Sequence, residues 1–222
     1  VSIIYIVSFL AVSLRIWIAQ TQTLIVSYGL IGAGIAVALQ DFFKNIVGGI
    51  ILFLTGIYRV GDRVEIEDRC GDVIDIGILN TTLMETGNWA EGDQATGRLT
   101  NIPNGKILSN NIDNFTKDNN FIWDELMIPI TYESDLQRAV EIIREAARSE
   151  TESVAEQAEK VMSKMGDKYY TSQRETFPTV FLTLTDNWVK MNVRYITDAK
   201  KRRTTSNRIS RRILKEMDST EG

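Results

Sequence analysis

The stretch Gly29–Gln40, GLIGAGIAVALQ, is the most informative segment of this chain. It continues an uncharged apolar run that begins at Leu24, and it is unusually rich in glycine and alanine. Three overlapping pairs of small residues lie four positions apart: Gly29/Ala33, Gly32/Ala36 and Gly34/Ala38. Such spacing lets helix backbones approach closely in lipid. The small residues occupy more than one face, as required of a helix with a neighbour on each side in a ring. An ordinary, tightly packed transmembrane helix is the alternative.

The sequence around this stretch is also apolar. Only Arg15, Asp41 and Lys44 are charged among the first 56 residues, although charged residues make up 24% of the chain. We therefore predict membrane-embedded helices followed by a water-exposed part. Residues 1–19 are expected to form a transmembrane helix, the last of those that precede the small-residue helix. A polar break at residues 20–23 predicts a two-helix hairpin.

A kinked helix is predicted over residues 23–57. Gln40 and Asp41 mark a break, because the Asp41 carboxylate can cap a new helix. The half that follows is amphipathic and is expected to lie along the cytoplasmic interface, with a further bend at Gly48 and Gly49. One continuous helix leading into the soluble domain is the alternative.

The rest of the chain predicts two soluble domains. Residues 58–116 carry short β-branched runs between glycine turns, and Pro103-Asn104-Gly105 is a turn signal. Residues 121–222 alternate strand and helix patterns in an α+β layout like a split βαβ. The predicted elements there are a strand at 126–132, helices from Ser134 or Asp135 and over 152–165, strands at 180–184 and 189–195, and a final helix at 200–217.

Composition argues against an enzyme. The chain has no histidine and one cysteine, Cys70, so the commonest general base, the commonest zinc ligand and an intrachain disulfide are excluded. No phosphate-binding glycine loop of the GxxxxGK[ST] kind is present. We expect no catalytic residues, metal or cofactor.

Four motifs, in order, resemble the small-conductance mechanosensitive channel family. They are Gly29–Gln40, then Asn45-Ile-Val-Gly-Gly49, then Arg59-Val-Gly-Asp-Arg-Val64 with Gly61 and Asp62, and Ile102-Pro-Asn-Gly-Lys106 followed by Asn111 and Asn114-Phe115. The resemblance spans roughly residues 20 to 135. It implies a multi-pass channel of the plasma or inner membrane, assembled as a homo-oligomer, typically a heptamer. It also implies a β-domain resembling Sm-type modules and a ferredoxin-like vestibule domain, with the chain after about residue 58 in the cytoplasm.

The resemblance also assigns roles within the pore helix. Its two gate positions fall on Ala33 and Val37, which are smaller than the leucines common there, so Leu30 is expected to share the role. The family's kink position falls on Asp41, which could instead place a ring of negative charge at the cytoplasmic mouth. Helix packing is assigned to Gly29, Gly32, Gly34, Ala36 and Ala38. Membrane lipids, permeating ions and copies of the chain are the implied partners.

Two other functions stay open from the sequence. One is a channel of this family that is gated by a ligand or partner at the polar loop 87–97 or at the vestibule. The other is a membrane-anchored scaffold or nucleic-acid-binding protein, since the last helix is rich in lysine and arginine. A solvated basic face is the commoner explanation of such a helix, so we expect no nucleic acid partner.

Overall fold

The computed structural model describes residues 2–87, 92–169 and 175–219. One long helix leads into a β-domain, which is followed by an α+β domain. The elements are α1 (Ser2–Thr55), β1 (Arg63–Ile66), β2 (Arg69–Ile76), β3 (Asn80–Thr86), β4 (Ala95–Pro103), a 3-10 turn (Asn104–Leu108), β5 (Ile112–Asn114), β6 (Phe121–Ile130), α2 (Leu136–Tyr169), β7 (Thr179–Leu184), β8 (Val189–Asp198) and α3 (Arg202–Asp218).

Helix α1 is continuous where the sequence predicts a hairpin and a kink. Helical hydrogen bonding runs unbroken through residues 20–23 and through Gln40 and Asp41. The stretch contains no proline, and the hydroxyls of Thr21 and Ser27 donate to carbonyls four residues earlier, at 2.8 and 2.9 Å. These polar residues are therefore satisfied within the helix. The predicted cap is wrong, because the Asp41 carboxylate lies inside the helix, 3.8 Å from Lys44 Nζ.

Five antiparallel strands form the β-domain, in the order β4-β3-β2-β1-β5. Its core consists of apolar side chains from the sheet together with Leu52 of α1 and Tyr58 of the connection. The end of the long helix is thus part of the β-domain core. The predicted β-domain at 58–116 corresponds to these five strands. Its likeness to Sm-type modules stays a prediction.

A three-stranded sheet and two helices form the α+β domain. The strand order is β6-β8-β7, and β8 is antiparallel to both neighbours, so β6 and β7 are parallel. Helix α2 connects these parallel strands, which makes the unit a split βαβ followed by α3. A ferredoxin-like fold has a fourth strand, and the described residues after β8 form only α3. That finer assignment stays a prediction.

Helix α2 confirms its predicted start and corrects its predicted end. The Asp135 carboxylate accepts the backbone N–H of Arg138 at 3.0 Å, as an N-cap does. One helix continues to Tyr169, where the sequence predicts two. The Thr151 hydroxyl donates to the Ala147 carbonyl at 2.8 Å, and Arg148 pairs with Glu152 at 3.1 Å across one turn. Polar residues near 150 therefore bond along the helix instead of ending it.

Candidate pore helix and its junction with the β-domain

Most of α1 has no contact with the rest of the chain. Every side chain that the structure describes between Ser2 and Lys44 is exposed, including large apolar ones such as Leu30 and Val37, which are 75% and 72% exposed. A Cβ added at Gly29, Gly32 or Gly34 would meet nothing within 4 Å. By length and apolar composition, α1 is the one helix among the described residues that could cross a membrane. Such a surface needs lipid or other protein chains to cover it.

The predicted pore residues share one face of α1. At roughly 100° per residue, Leu30, Ala33 and Val37 fall within an arc of about 60°. Small residues flank this arc on both sides. Gly34 and Ala38 lie on one flank, while the other flank carries Gly29, Gly32 and Ala36. The helix therefore offers one apolar stripe between two smooth flanks. This is the arrangement needed by a helix that touches a copy of itself on each side.

Gly48 and Gly49 mark the point where α1 meets the β-domain. A Cβ on Gly48 would lie 2.5 Å from the carbonyl carbon of Asn104 and closer still to its oxygen. A Cβ on Gly49 would lie 2.5 Å from the carbonyl oxygen of Ile78. The predicted bend at these glycines is therefore not their role in this structure, where helical hydrogen bonding continues through both. They let the helix backbone approach two β-domain turns at a distance that a side chain would prevent.

Asn104 is the hydrogen-bonding centre of this junction. It is 1% exposed, and its Nδ2 donates to the carbonyls of Gly77 and Ile78 at 2.8 and 3.1 Å. Its Oδ1 accepts the Thr81 hydroxyl at 2.9 Å. Only an amide side chain offers two donors and an acceptor in this compact form. Asn104 thereby joins the turn before β3 to the turn that lies beneath α1.

Tyr58 extends the same buried network toward the end of α1. Its hydroxyl lies 3.0 Å from the Thr81 hydroxyl, and its side chain is 2% exposed. Burial raises the pKa of Tyr58 above its ordinary value, against a smaller lowering effect of the hydrogen bond to Thr81. The phenol therefore stays neutral at physiological pH and acts as a structural hydrogen-bonding group.

Asn45 makes a direct bond between the helix and the β-domain. Its Oδ1 accepts the backbone N–H of Gly105 at 2.8 Å, one turn before the close approach at Gly48. The structure thus brings together Asn45, Gly48, Asn104 and Gly105, four residues of two separate motifs. The contributions of Tyr58 and Thr81 were not predicted, because nothing in the sequence near either residue indicates that the two hydroxyls meet.

The other predicted β-domain residues close the turn that follows α1. Gly61 has a φ of +97°, a backbone conformation that favours glycine. Asp62 Oδ2 accepts the N–H of Arg59 and the amide of Asn114, both at 2.9 Å. Asn114 also donates to the Ile57 carbonyl at 3.1 Å. Pro103 ends β4 immediately before Asn104. The connection from the helix is therefore tied to strand β5 as well as to the 3-10 turn.

The remaining predictions about sites have mixed outcomes. Residues 88–91 of the polar loop 87–97 lie outside the described residues. Within the described ranges, no group of three or more acidic or cysteine side chains is placed to hold a metal ion. The predicted gate and packing residues are not joined to anything in a single chain, so their roles remain predictions.

Comparisons with known proteins agree with this arrangement. A family model described as "Mechanosensitive ion channel, beta-domain" matches residues 41–117, which include the end of α1 and all five strands of the sheet. The chain is 37% identical over 118 residues to an uncharacterized MscS family protein of Synechocystis, covering 53% of this chain and 36% of that protein. It is 34% identical over 95 residues to a small-conductance mechanosensitive channel of Helicobacter pylori, covering 43% and 31%.

A solved structure has the same fold. The closed-state crystal structure of Helicobacter pylori MscS matches with a TM-score of 0.60 and 23% identity, over 86% of this chain and 66% of that one. The chain spans less than half the length of the curated relatives named above. Residues 41–117 therefore match a mechanosensitive-channel β-domain, and the chain is similar to MscS family proteins in sequence and to the solved structure in fold.

Proposed function

We propose that this chain supplies the pore-lining helix and the cytoplasmic domains of a mechanosensitive ion channel in the cell membrane. The channel is a homo-oligomeric ring, with seven copies as the expected number. Membrane tension opens it, and it releases ions and small osmolytes during hypo-osmotic stress. The observation that carries this proposal is the contrast within α1, which is bare and apolar over most of its length but tightly fixed to the β-domain at its end.

The bare part of α1 explains how a pore would form. In a ring, the two smooth flanks would contact neighbouring copies, and the stripe of Leu30, Ala33 and Val37 would face the axis. Rings of apolar side chains close a pore by excluding water from it. Alanine and valine are smaller than leucine, so this constriction would be comparatively wide and easily wetted.

The fixed part of α1 limits where movement can occur. Asn45, Gly48 and Gly49 hold the helix against the β-domain, so tilting would take place between Leu24 and Lys44. Membrane tension favours the state that occupies more area in the bilayer, and a ring of tilted, spread helices occupies more area. The smooth Gly/Ala flanks would allow neighbouring helices to slide during this change.

Patch recordings under suction test this function directly. The purified chain in liposomes should give currents that appear above a threshold of suction. Currents that ignore suction but respond to an added solute would favour a channel gated by a ligand. A projection image of the detergent-solubilised particle should show a closed ring, and seven-fold symmetry is expected. A monomeric particle without conductance would overturn the proposal.

A variant at the proposed helix contact provides a second test. Gly32→Trp places a large side chain on one smooth flank, where a single chain has open space. The β-domain should fold normally, whereas the ring should weaken on a native gel. An unaltered oligomer with unaltered gating would show that this flank does not contact a neighbouring helix.

A further inference from the structure

A buried arginine joins the β-domain to the α+β domain. Arg63 lies in β1 and is only 5% exposed. Its Nη1 donates to the carbonyl of Ala199 at 3.1 Å, which belongs to the connection between β8 and α3. The same nitrogen donates to the Asp93 carbonyl at 3.1 Å and lies 3.5 Å from the Asp93 carboxylate. One side chain therefore contacts β2, the segment before β4 and the second domain.

Asp72 holds the guanidinium in this position. It lies directly opposite Arg63 across the β1–β2 pair, and its two carboxylate oxygens accept from Nε and Nη2, both at 3.0 Å. This two-point pairing fixes the plane of the guanidinium and leaves Nη1 directed at Ala199 and Asp93. A lysine could not make this set of contacts, since its ammonium is a single point of attachment.

Two further basic residues, both from the α+β domain, contact the β-domain at the same interface. We call this interface between the two domains the seam. Lys200 Nζ donates to the Gly61 carbonyl at 2.6 Å and lies 3.3 Å from Asp72. Arg203 Nη1 donates to Gln94 at 3.4 Å. A Cβ on Gly92 would lie 2.8 Å from the Arg203 side chain, so the two surfaces are in close contact there.

The α+β side of the seam is itself rigid. The Ala199 N–H donates to the Asn120 carbonyl at 2.8 Å, and Asp198 Oδ1 accepts the Lys200 N–H at 2.8 Å. Residues 199–201 therefore form a fixed turn between β8 and α3. Displacement of the β-domain would pull on this turn through Arg63 and Lys200.

We propose that Arg63 is an ionic latch that makes the β-domain and the α+β domain move as one body. While the latch is closed, the linker at residues 117–120 cannot act as a hinge. Loss of the arginine leaves Asp72 and Asp93 without their shared cation and the Ala199 carbonyl without its donor. The Ala199 carbonyl is buried and the two carboxylates are only 22% and 23% exposed, so the loss of Arg63 is costly even though Lys200 still lies near Asp72. The seam therefore opens toward water and the domains swing about the linker. The latch is a property of the fold and stands whether or not the chain conducts ions.

A distance measurement between the two domains tests the latch. Spin labels are placed at Ser109→Cys in the β-domain and at Arg211→Cys in α3, both exposed positions, in a Cys70→Ser background. The labelled full chain is mixed with an excess of unlabelled chain, so that distances within one chain dominate. The parent should give one narrow distance distribution. Arg63→Gln should at least double its width, and Arg63→Lys should also broaden it, because retained charge alone does not restore the contacts.

The matched control is Arg69→Gln. It also removes an arginine that pairs with a buried carboxylate of the same sheet, Glu85, at 3.4 Å, but no hydrogen bond or ion pair joins Arg69 to the part of the α+β domain that the structure describes. It should leave the distribution narrow. Equal widths in Arg63→Gln, Arg69→Gln and the parent would overturn the latch.

If Arg63→Gln does not fold, the same distance measurement on Lys200→Gln tests the latch instead. This side chain is 38% exposed, and its removal takes away two seam contacts without burying an unpaired charge. A smaller broadening in the same direction supports the latch, whereas an unchanged width overturns it.

Discussion

Gly48→Ala should detach the end of α1 from the β-domain, although alanine is the better helix former. In a free helix this change stabilises by about 1 kcal/mol. At Gly48 the added methyl would lie 2.5 Å from the carbonyl carbon of Asn104 and 2.9 Å from the amide nitrogen of Gly105. Ordinary contact begins near 3.4 Å, so the two backbones must separate by at least about 0.9 Å at this point, since the carbonyl oxygen of Asn104 lies closer still. Destabilisation of the junction by Gly48→Ala would therefore indicate that the helix is docked against the β-domain, whereas stabilisation would indicate a free helix.

The magnitude follows from the kind of atoms that collide. Overfilling a packed site costs about 1–3 kcal/mol, and the upper end applies here because backbone atoms cannot rotate away as a side chain can. Subtracting the helix-forming gain leaves a net loss of about 2 kcal/mol in docking free energy. That is about a thirtyfold change in the population of the detached junction.

Amide hydrogen exchange in the detergent-solubilised chain measures this change. The Asn104 N–H donates to the Leu79 carbonyl at 2.9 Å, and its exchange should accelerate by about thirtyfold in Gly48→Ala. Gly29→Ala is the control, because it adds the same methyl to the same helix with nothing within 4 Å in a single chain. It should leave exchange at Asn104 unchanged. Equal protection of Asn104 in both variants would refute the docked geometry.

The remaining predictions concern the pore helix and the thiol. Ala33→Leu should raise the suction needed for opening, because each copy adds about 2 kcal/mol of apolar surface that opening exposes; an unchanged threshold in patch recordings would contradict the pore face. Val37→Ser should hydrate the constriction and give leaky cells, and normal growth with silent patches would place Val37 elsewhere. Burial raises the pKa of the Cys70 thiol. Iodoacetamide should therefore label it more slowly than a free thiol at pH 8, with the rate still rising above pH 9.

The local elements of both soluble domains were predictable because their signals are local. The β-branched runs at Val64/Ile66 and at residues 73–78 predict strands, and β1 and β2 cover most of both runs. The glycine turn predicted at Gly71 is wrong, because Gly71 lies inside β2 and pairs with Val64. The stripe of Ala139, Ile142, Ile143 and Ala146 predicts the buried face of α2, and all four side chains are buried. In each case the segment that the sequence pattern predicts and the element that the structure shows agree within a few residues.

The contacts between distant segments could not be predicted in the same way. Nothing in the sequence near Arg63 indicates that it reaches Ala199, 136 positions later in the chain. Gly48 and Gly49 suggested a bend, since a pair of glycines weakens a helix whether or not another backbone lies against it. The close approach of Asn104 distinguishes the two roles, and only the tertiary structure supplies it.

The length of α1 indicates a change that a bilayer would impose on it. Its 54 residues extend about 80 Å, whereas a hydrocarbon core is about 30 Å thick. If residues 24–39 cross the bilayer and the helix stays straight, the segment before residue 19 must stand in water. That segment carries large apolar side chains such as Ile3, Phe9 and Leu10, each worth about 1.5–3 kcal/mol when removed from water. We therefore expect the embedded chain to turn back at residues 20–23.

Cysteine accessibility separates the straight helix from the hairpin. In a Cys70→Ser background, Thr21→Cys should react with a membrane-impermeant maleimide added to intact cells, because the turn lies at the outer surface in either geometry. Ser8→Cys lies in hydrocarbon in the hairpin but projects beyond the membrane on a straight helix. It should therefore stay unlabelled until detergent is added. Labelling of Ser8→Cys at the rate of Thr21→Cys would show that the helix remains straight. Another protein surface would then have to cover the apolar side chains of the segment outside the membrane.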